Sequence, residues 1–172
     1  RRLGSAGYCV MLPNLYYRRV REFRIENASR EEMFAHMNSL SNALVCEDIE
    51  ALLNFSDNDS AARDGKVGCV GYCMSGPFAF AAASAFPERI AASASFHGVD
   101  LITDSADSPH LDAEKIKGEM YFGCAETDEY APKQMIDDLE AYLADKNLKS
   151  RIEWYPGTEH GFVFPLRQGK YD

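Results

Sequence analysis

Short apolar runs alternate along this chain with stretches whose apolar residues recur every three or four positions, which is the pattern of strands interleaved with helices. Tyr8 to Leu12 is an apolar run stopped by Pro13 and predicts a buried parallel strand, followed by a loop from Asn14 to Asn27. Ser29 and Glu32 have capping-box spacing, and Met33, Met37, Leu40 and Leu44 follow at helical intervals, so one helix is expected to run to about Asn54. Asp57, Asn58, Asp59 and Gly65 mark a polar turn without the ligand spacing of a calcium loop. Val67 to Tyr72 predicts a glycine-dense second strand that runs almost directly into an alanine-rich helix from Gly76 to Phe86. Ile90 to Phe96 predicts a third strand, then a polar loop follows from Gly98 to Lys115, and Glu119 to Gly123 predicts a fourth strand. Pro132 opens a helix with Met135, Leu139, Tyr142 and Leu143 on one face and Asp137, Asp138 and Asp145 pointing away, and Arg151 to Tyr155 predicts a fifth strand. Strands alternating with helices imply an α/β fold, a mainly parallel sheet flanked by helices. No repeat, low-complexity tract or linker interrupts residues 1–172, which are therefore read as one domain.

Bulk properties narrow the field. A chain of 172 residues with 46% hydrophobic content can build a buried core. Its net charge of -9 argues against a nucleic-acid partner or an anionic membrane surface, either of which would select a basic face. Arg18, Arg19, Arg21 and Arg24 do cluster, and such a group is either solvated surface or, beside a pocket, a holder of an anionic substrate. Cys9, Cys46, Cys69, Cys73 and Cys124 are odd in number and lack a C-x-x-C pair, so neither a disulfide framework nor a zinc site is expected. No apolar run approaches the roughly 18 residues of a membrane span. A reducing, cytoplasmic setting without cofactor or metal is the expectation. The chain lacks an initiator Met, and Leu3 to Tyr8 reads as the tail of a helix, so the start of the domain is expected to be missing.

Candidate chemistry concentrates where strands end. Gly71-Tyr72-Cys73-Met74-Ser75-Gly76 lies where a strand must turn sharply into a helix, the geometry of a nucleophile elbow. Small residues at 71, 75 and 76 permit the bend and leave Cys73 exposed at the strand's carboxyl end. A helix N-terminus there favours thiolate over thiol, and the Met74 N–H points toward a developing oxyanion. A thiol nucleophile needs a base, and the base needs an orienting group. Asp128 follows the fourth predicted strand and His160 the fifth, in the nucleophile-acid-histidine order of α/β hydrolases, with Glu126 as a competitor for the acid. His36 and His110 read as surface residues. His97, after the third strand, could line the pocket, but it precedes the acid and is given a structural role.

Pro13-Asn14-Leu15-Tyr16-Tyr17-Arg18, Val67 to Gly76, Glu126-Thr127-Asp128 and Glu159-His160-Gly161-Phe162 resemble the dienelactone hydrolases, or carboxymethylenebutenolidases, over nearly the whole chain. The resemblance implies an α/β-hydrolase fold and hydrolysis of a small-molecule ester or lactone. In that reaction Cys73 attacks the carbonyl, His160 handles the proton, Asp128 orients the histidine and water releases an acyl-enzyme. It places Arg18, with Tyr16 nearby, where an arginine holds the substrate carboxylate. A second arginine belongs four positions beyond the histidine; Phe164 stands there, and Arg167 lies near but out of register. Ser75 replaces the second elbow glycine. The family also places strands before this segment and a helix after Asp172, so the chain is read as a truncated domain, expected to be inactive alone. The alternatives are a general carboxylesterase or thioesterase of the same fold and a non-catalytic, degenerate α/β-hydrolase domain.

Overall fold

The computed structural model describes residues 2–165. They fall into two compact units, divided between Gly65 and Lys66.

In the first unit a single turn of helix, α1 (Arg2–Ser5), is followed by irregular chain and then by α2 (Arg30–Met37) and α3 (Asn42–Asp57). The capping box at Ser29 forms as expected, with the Ser29 hydroxyl accepting from the Glu32 N–H and the Glu32 carboxylate accepting from the Ser29 N–H. The single helix expected to Asn54 is two helices. Its apolar periodicity continues past Leu40, but Ser41 is a second N-cap, accepting from the Leu44 N–H at 3.1 Å. The Ser39 hydroxyl ends α2 by donating to the His36 carbonyl at 2.6 Å. Serine side chains that bond nearby backbone in this way compete with helix continuation. The strand expected at Tyr8 to Leu12 does not form among the described residues, where Leu12 is 93% exposed. An apolar run becomes a strand only when another strand pairs its N–H and C=O groups, and the sheet of this structure contains no strand from this unit.

The second unit is a four-stranded sheet in the order β1-β2-β3-β4, with β1 at Val67–Tyr72, β2 at Ile90–Phe96, β3 at Glu119–Thr127 and β4 at Ser150–Glu159. All three pairings are parallel, so every carboxyl end lies along one edge. β3 and β4 run four residues further than the apolar patterns at Gly123 and Tyr155 suggested, because their last residues pair with each other as far as Thr127 and Glu159. Helices α4 (Gly76–Ala85) and α5 (Lys133–Asp145) flank the strands. α4 is buried along most of its length, from Gly76 through Ser84, and this explains its alanines: a helix covered on nearly every side has no polar face to display. α5 buries Ile136, Leu139 and Leu143 at helical spacing. Phe80 of α4 meets Phe122 of β3 edge to face, with ring centroids 5.4 Å apart. No helix among the described residues is long and apolar enough to cross a membrane.

Candidate active site

Each of the four strands ends one residue before a side chain able to do chemistry: Tyr72 before Cys73, Phe96 before His97, Thr127 before Asp128 and Glu159 before His160. Parallel pairing in sequence order therefore lines all four up along one edge of the sheet, where ligands of open α/β sheets bind.

At the end of β1 the chain enters a tight 3-10 turn, Cys73–Ser75, before α4 begins. Cys73 has φ +51°, a left-handed conformation that a non-glycine residue adopts only when its surroundings hold it there. Ser75 supplies part of the hold: its hydroxyl accepts from the Tyr72 N–H at 2.7 Å and donates to the Tyr72 carbonyl at 2.9 Å. The serine in place of glycine is thus a clasp across the turn. Glycine is required on either side. A Cβ on Gly71 would lie 2.0 Å from the Ser75 carbonyl oxygen, and one on Gly76 would lie 2.6 Å from the Gly98 Cα.

Asp128 turns the chain at the end of β3, where Oδ1 accepts from the N–H groups of Tyr130 at 2.9 Å and Ala131 at 3.0 Å. The same carboxylate receives His160 Nδ1 at 2.8 and 2.9 Å. The competing acid is engaged elsewhere, since Glu126 accepts from the Gly157 N–H at 2.6 Å. With Nδ1 directed at Asp128, Nε2 is the His160 nitrogen left for Cys73, and the two residues' donor atoms lie within 4.8 Å. Burial alone would lower the His160 pKa, but hydrogen bonds and charge interactions with Asp128 and Cys73 outweigh it and raise the pKa to about 9. For Asp128, burial pushes upward, and the bonds from His160, Tyr130 and Ala131 reverse the direction, so its carboxyl lies below its ordinary value of 3.8.

These opposite shifts have a pH signature. His160 adds stability that is complete below its ordinary value of 6.5 and is lost as pH rises through about 9. Asp128 adds stability that is complete above 3.8 and is lost as pH falls through its lowered pKa. Denaturant melts at pH 6 and pH 10 should show wild-type stability falling with pH, and Asp128→Asn should flatten that fall. Parallel curves for the two proteins would mean that the pair is not formed in solution.

His97, expected from chain order to be structural, stands beside the proposed base. It is 1% exposed, has φ +39°, and places its ring edge to face against His160 with centroids 4.6 Å apart. Its position directly after an apolar strand was the available signal. His110 is also not a surface residue: it is 9% exposed, pairs through Nδ1 with the Ser108 hydroxyl at 2.7 Å, and packs on Tyr142. A serine two residues back and an aromatic on α5 let this polar loop bury an imidazole. His36 is half-buried against Tyr16 and Phe23.

Of the expected substrate-binding residues, Phe164 stands beside this edge, its ring 5.2 Å from His97 and 5.7 Å from Tyr72. Arg18 and Tyr16 belong to the first unit. There Arg18 forms a two-pronged pair with Asp48, at 2.7 and 2.8 Å, and Tyr16 packs on Phe23. Arg167 lies outside the described residues.

A model of the dienelactone hydrolase family matches residues 1–172. The chain is 27% identical to a carboxymethylenebutenolidase of Rhodococcus opacus over 170 residues, covering 96% of this chain and 64% of that protein. It is 32% identical over 107 residues to Protein usf of Aquifex pyrophilus, covering 62% of this chain and 44% of that protein. It thus spans about half to two thirds of the length of these relatives. A solved structure from Klebsiella pneumoniae, named "Putative Dienelactone Hydrolase", superimposes with a TM-score of 0.87 at 20% identity, covering all of this chain and 72% of that one, a likeness of fold.

Proposed function

Because the chain belongs to the dienelactone hydrolase family, we propose that the protein of which these residues form the catalytic edge hydrolyses a small ester or lactone through Cys73, His160 and Asp128. The observation that carries this reading is the placement of His160 between Asp128 and Cys73, with its pKa raised to about 9. An imidazolium held up in this way stabilises a neighbouring thiolate, which is the nucleophilic form of cysteine. Cys73 Sγ attacks the carbonyl carbon, and the Met74 N–H, at the start of the turn into α4, is a donor for the oxyanion. Collapse of the tetrahedral adduct breaks the ester C–O bond, and His160 gives its proton to the leaving alkoxide. Cys73 is then an uncharged thioester. One cause of the raised His160 pKa disappears with the thiolate, so the neutral imidazole takes a proton from water as its oxygen adds to the thioester carbon; the C–S bond then breaks, releasing the acid and restoring the Cys73 thiolate beside the His160 imidazolium.

Phe164 supports a second reading. With its ring on the site-facing histidine, where the family resemblance leads one to expect an arginine, an acyl group without a carboxylate suits this edge, as in a general carboxylesterase or thioesterase. Arg18 decides between them. Its guanidinium already carries the Asp48 carboxylate, which offsets part of its charge, so the preference should lie near the low end of the value of one charge-assisted contact. That value is about 1.5 to 3 kcal/mol, or roughly ten- to a hundredfold in kcat/KM. Arg18→Ala should penalise a carboxylated ester selectively relative to a neutral ester of similar size. Equal losses on both would put the general esterase first.

The hydrolytic reading itself is tested by turnover of a chromogenic ester before and after limiting iodoacetamide, with peptide mapping of the label. Burial pushes the Cys69 and Cys124 thiols up to about 11 and about 12, which makes them poor nucleophiles. Cys73 should label first, ahead of the exposed Cys9, and activity should fall in step. Activity that survives full labelling of Cys73 would refute the reading.

A further inference from the structure

Cys73, His97 and His160 offer one sulfur and two imidazole nitrogens that all lie within 4.8 Å of one another. Acyl transfer as described above uses the first and third and leaves His97 without a role. The donors arrive from the ends of β1, β2 and β4, far apart in the chain, so no local C-x-x-C or H-x-x-H spacing announces them.

A thiolate and two imidazoles are donors that zinc takes in four-coordinate sites whose last position is left to water. With Zn–S near 2.3 Å and Zn–N near 2.0 to 2.1 Å, a tetrahedral centre needs donor atoms roughly 3.4 to 3.6 Å apart. The present spacing requires a contraction of about 1.4 Å at most, within reach of side-chain torsions. The outer shell of such a site is already built. Asp128 holds Nδ1 of His160 at 2.8 Å, the carboxylate-histidine arrangement that orients a metal-binding imidazole and raises its basicity. The rings of Phe162 and Phe164 meet the His97 ring edge to face, with centroids 5.8 and 5.2 Å away.

We propose that Cys73, His97 and His160 form a reversible binding site for a thiophilic divalent cation, zinc above all. Coordination takes Cys73 as thiolate and His160 as neutral imidazole, so any proton held by either is released to solvent on binding. His97 coordinates as the neutral imidazole, water fills the fourth position, and nothing is oxidised or reduced. Metal binding follows from the donor geometry alone. Its consequence, loss of ester hydrolysis because nucleophile and base are both coordinated, rests on the function proposed above.

Cobalt(II) makes the site visible. Titrated into the metal-free protein, it should give a near-ultraviolet thiolate-to-cobalt band and the visible bands of a tetrahedral centre, saturating at one ion per chain. Zinc should abolish the bands, and a chelator should reverse its effect. Cys73→Ser should lose the thiolate band. His97→Asn keeps a residue that tolerates the left-handed backbone there, and circular dichroism will show whether it folds. Loss of a direct ligand should weaken cobalt binding at least as much as loss of an outer-shell partner, about 10- to 100-fold; Asp128→Asn should fall in that range. The proposal is overturned if the thiolate band is absent or survives in Cys73→Ser, or if folded His97→Asn binds cobalt as tightly as the parent. A cobalt centre of the expected kind beside undiminished ester hydrolysis would support the metal site and refute Cys73 as nucleophile.

Discussion

Changing His160 to alanine is expected to lower kcat/KM for a small ester by about ten-thousandfold or more, because nucleophile and base act as one unit and loss of either removes most of what both supply. The fold should persist. Asp128 retains the N–H groups of Tyr130 and Ala131, so its carboxylate is not stranded when the imidazole goes. His97→Asn is the control. It removes a ring that touches His160 while keeping the Asp128 pairing, and its loss should be much smaller. If His97→Asn proved the more damaging change, the roles assigned to the two histidines would be wrong.

The second large effect is structural in origin. Gly71→Ala adds a Cβ that would sit 2.0 Å from the Ser75 carbonyl oxygen, 2.5 Å from its carbon and 2.8 Å from the Gly76 nitrogen. All three atoms are backbone, so no side chain can move aside. The chain must either abandon the turn that presents Cys73 or unfold more easily, by about 4 kcal/mol or more, the range reserved for severe steric or strain effects. Gly68→Ala in the same strand has only the Ala92 carbonyl oxygen at 3.8 Å to meet and should be tolerated. Melting temperatures and ester turnover of the two variants make the comparison. A Gly71→Ala protein that matched the parent in both would mean that the turn is not built as described.

What the sequence conveyed, and what it did not, follows from the range of the forces involved. The elbow was legible because its requirements are local: a strand, two close-approach glycines and a helix start fall within ten residues. The positions of Asp128 and His160 were legible because each directly follows an apolar run, and parallel strands must bring such positions to one edge. Asp128 is the sequence's own preference over Glu126, and what the sequence does not show is how the backbone at the end of β3 turns Asp128 toward His160 and Glu126 toward the Gly157 N–H. His97 was discounted by chain order, a rule about the triad that says nothing of a third donor. The break at Ser41 was hidden because apolar periodicity continues across it. The strand expected at Tyr8 to Leu12 failed for the opposite reason: the apolar pattern is present, but strand formation depends on a pairing partner that local sequence does not specify. Arg18 could be placed by resemblance, whereas its engagement by Asp48, thirty residues away, could not.

The central claim, that Cys73 carries the acyl group during turnover, is tested most directly by mixing the protein with excess ester, quenching in acid within the first turnovers, and mapping the added mass. One acyl group is expected as a thioester on the peptide that contains Cys73, and none in Cys73→Ala. An acyl group on another residue, or steady ester hydrolysis by Cys73→Ala at the parent rate, would contradict it.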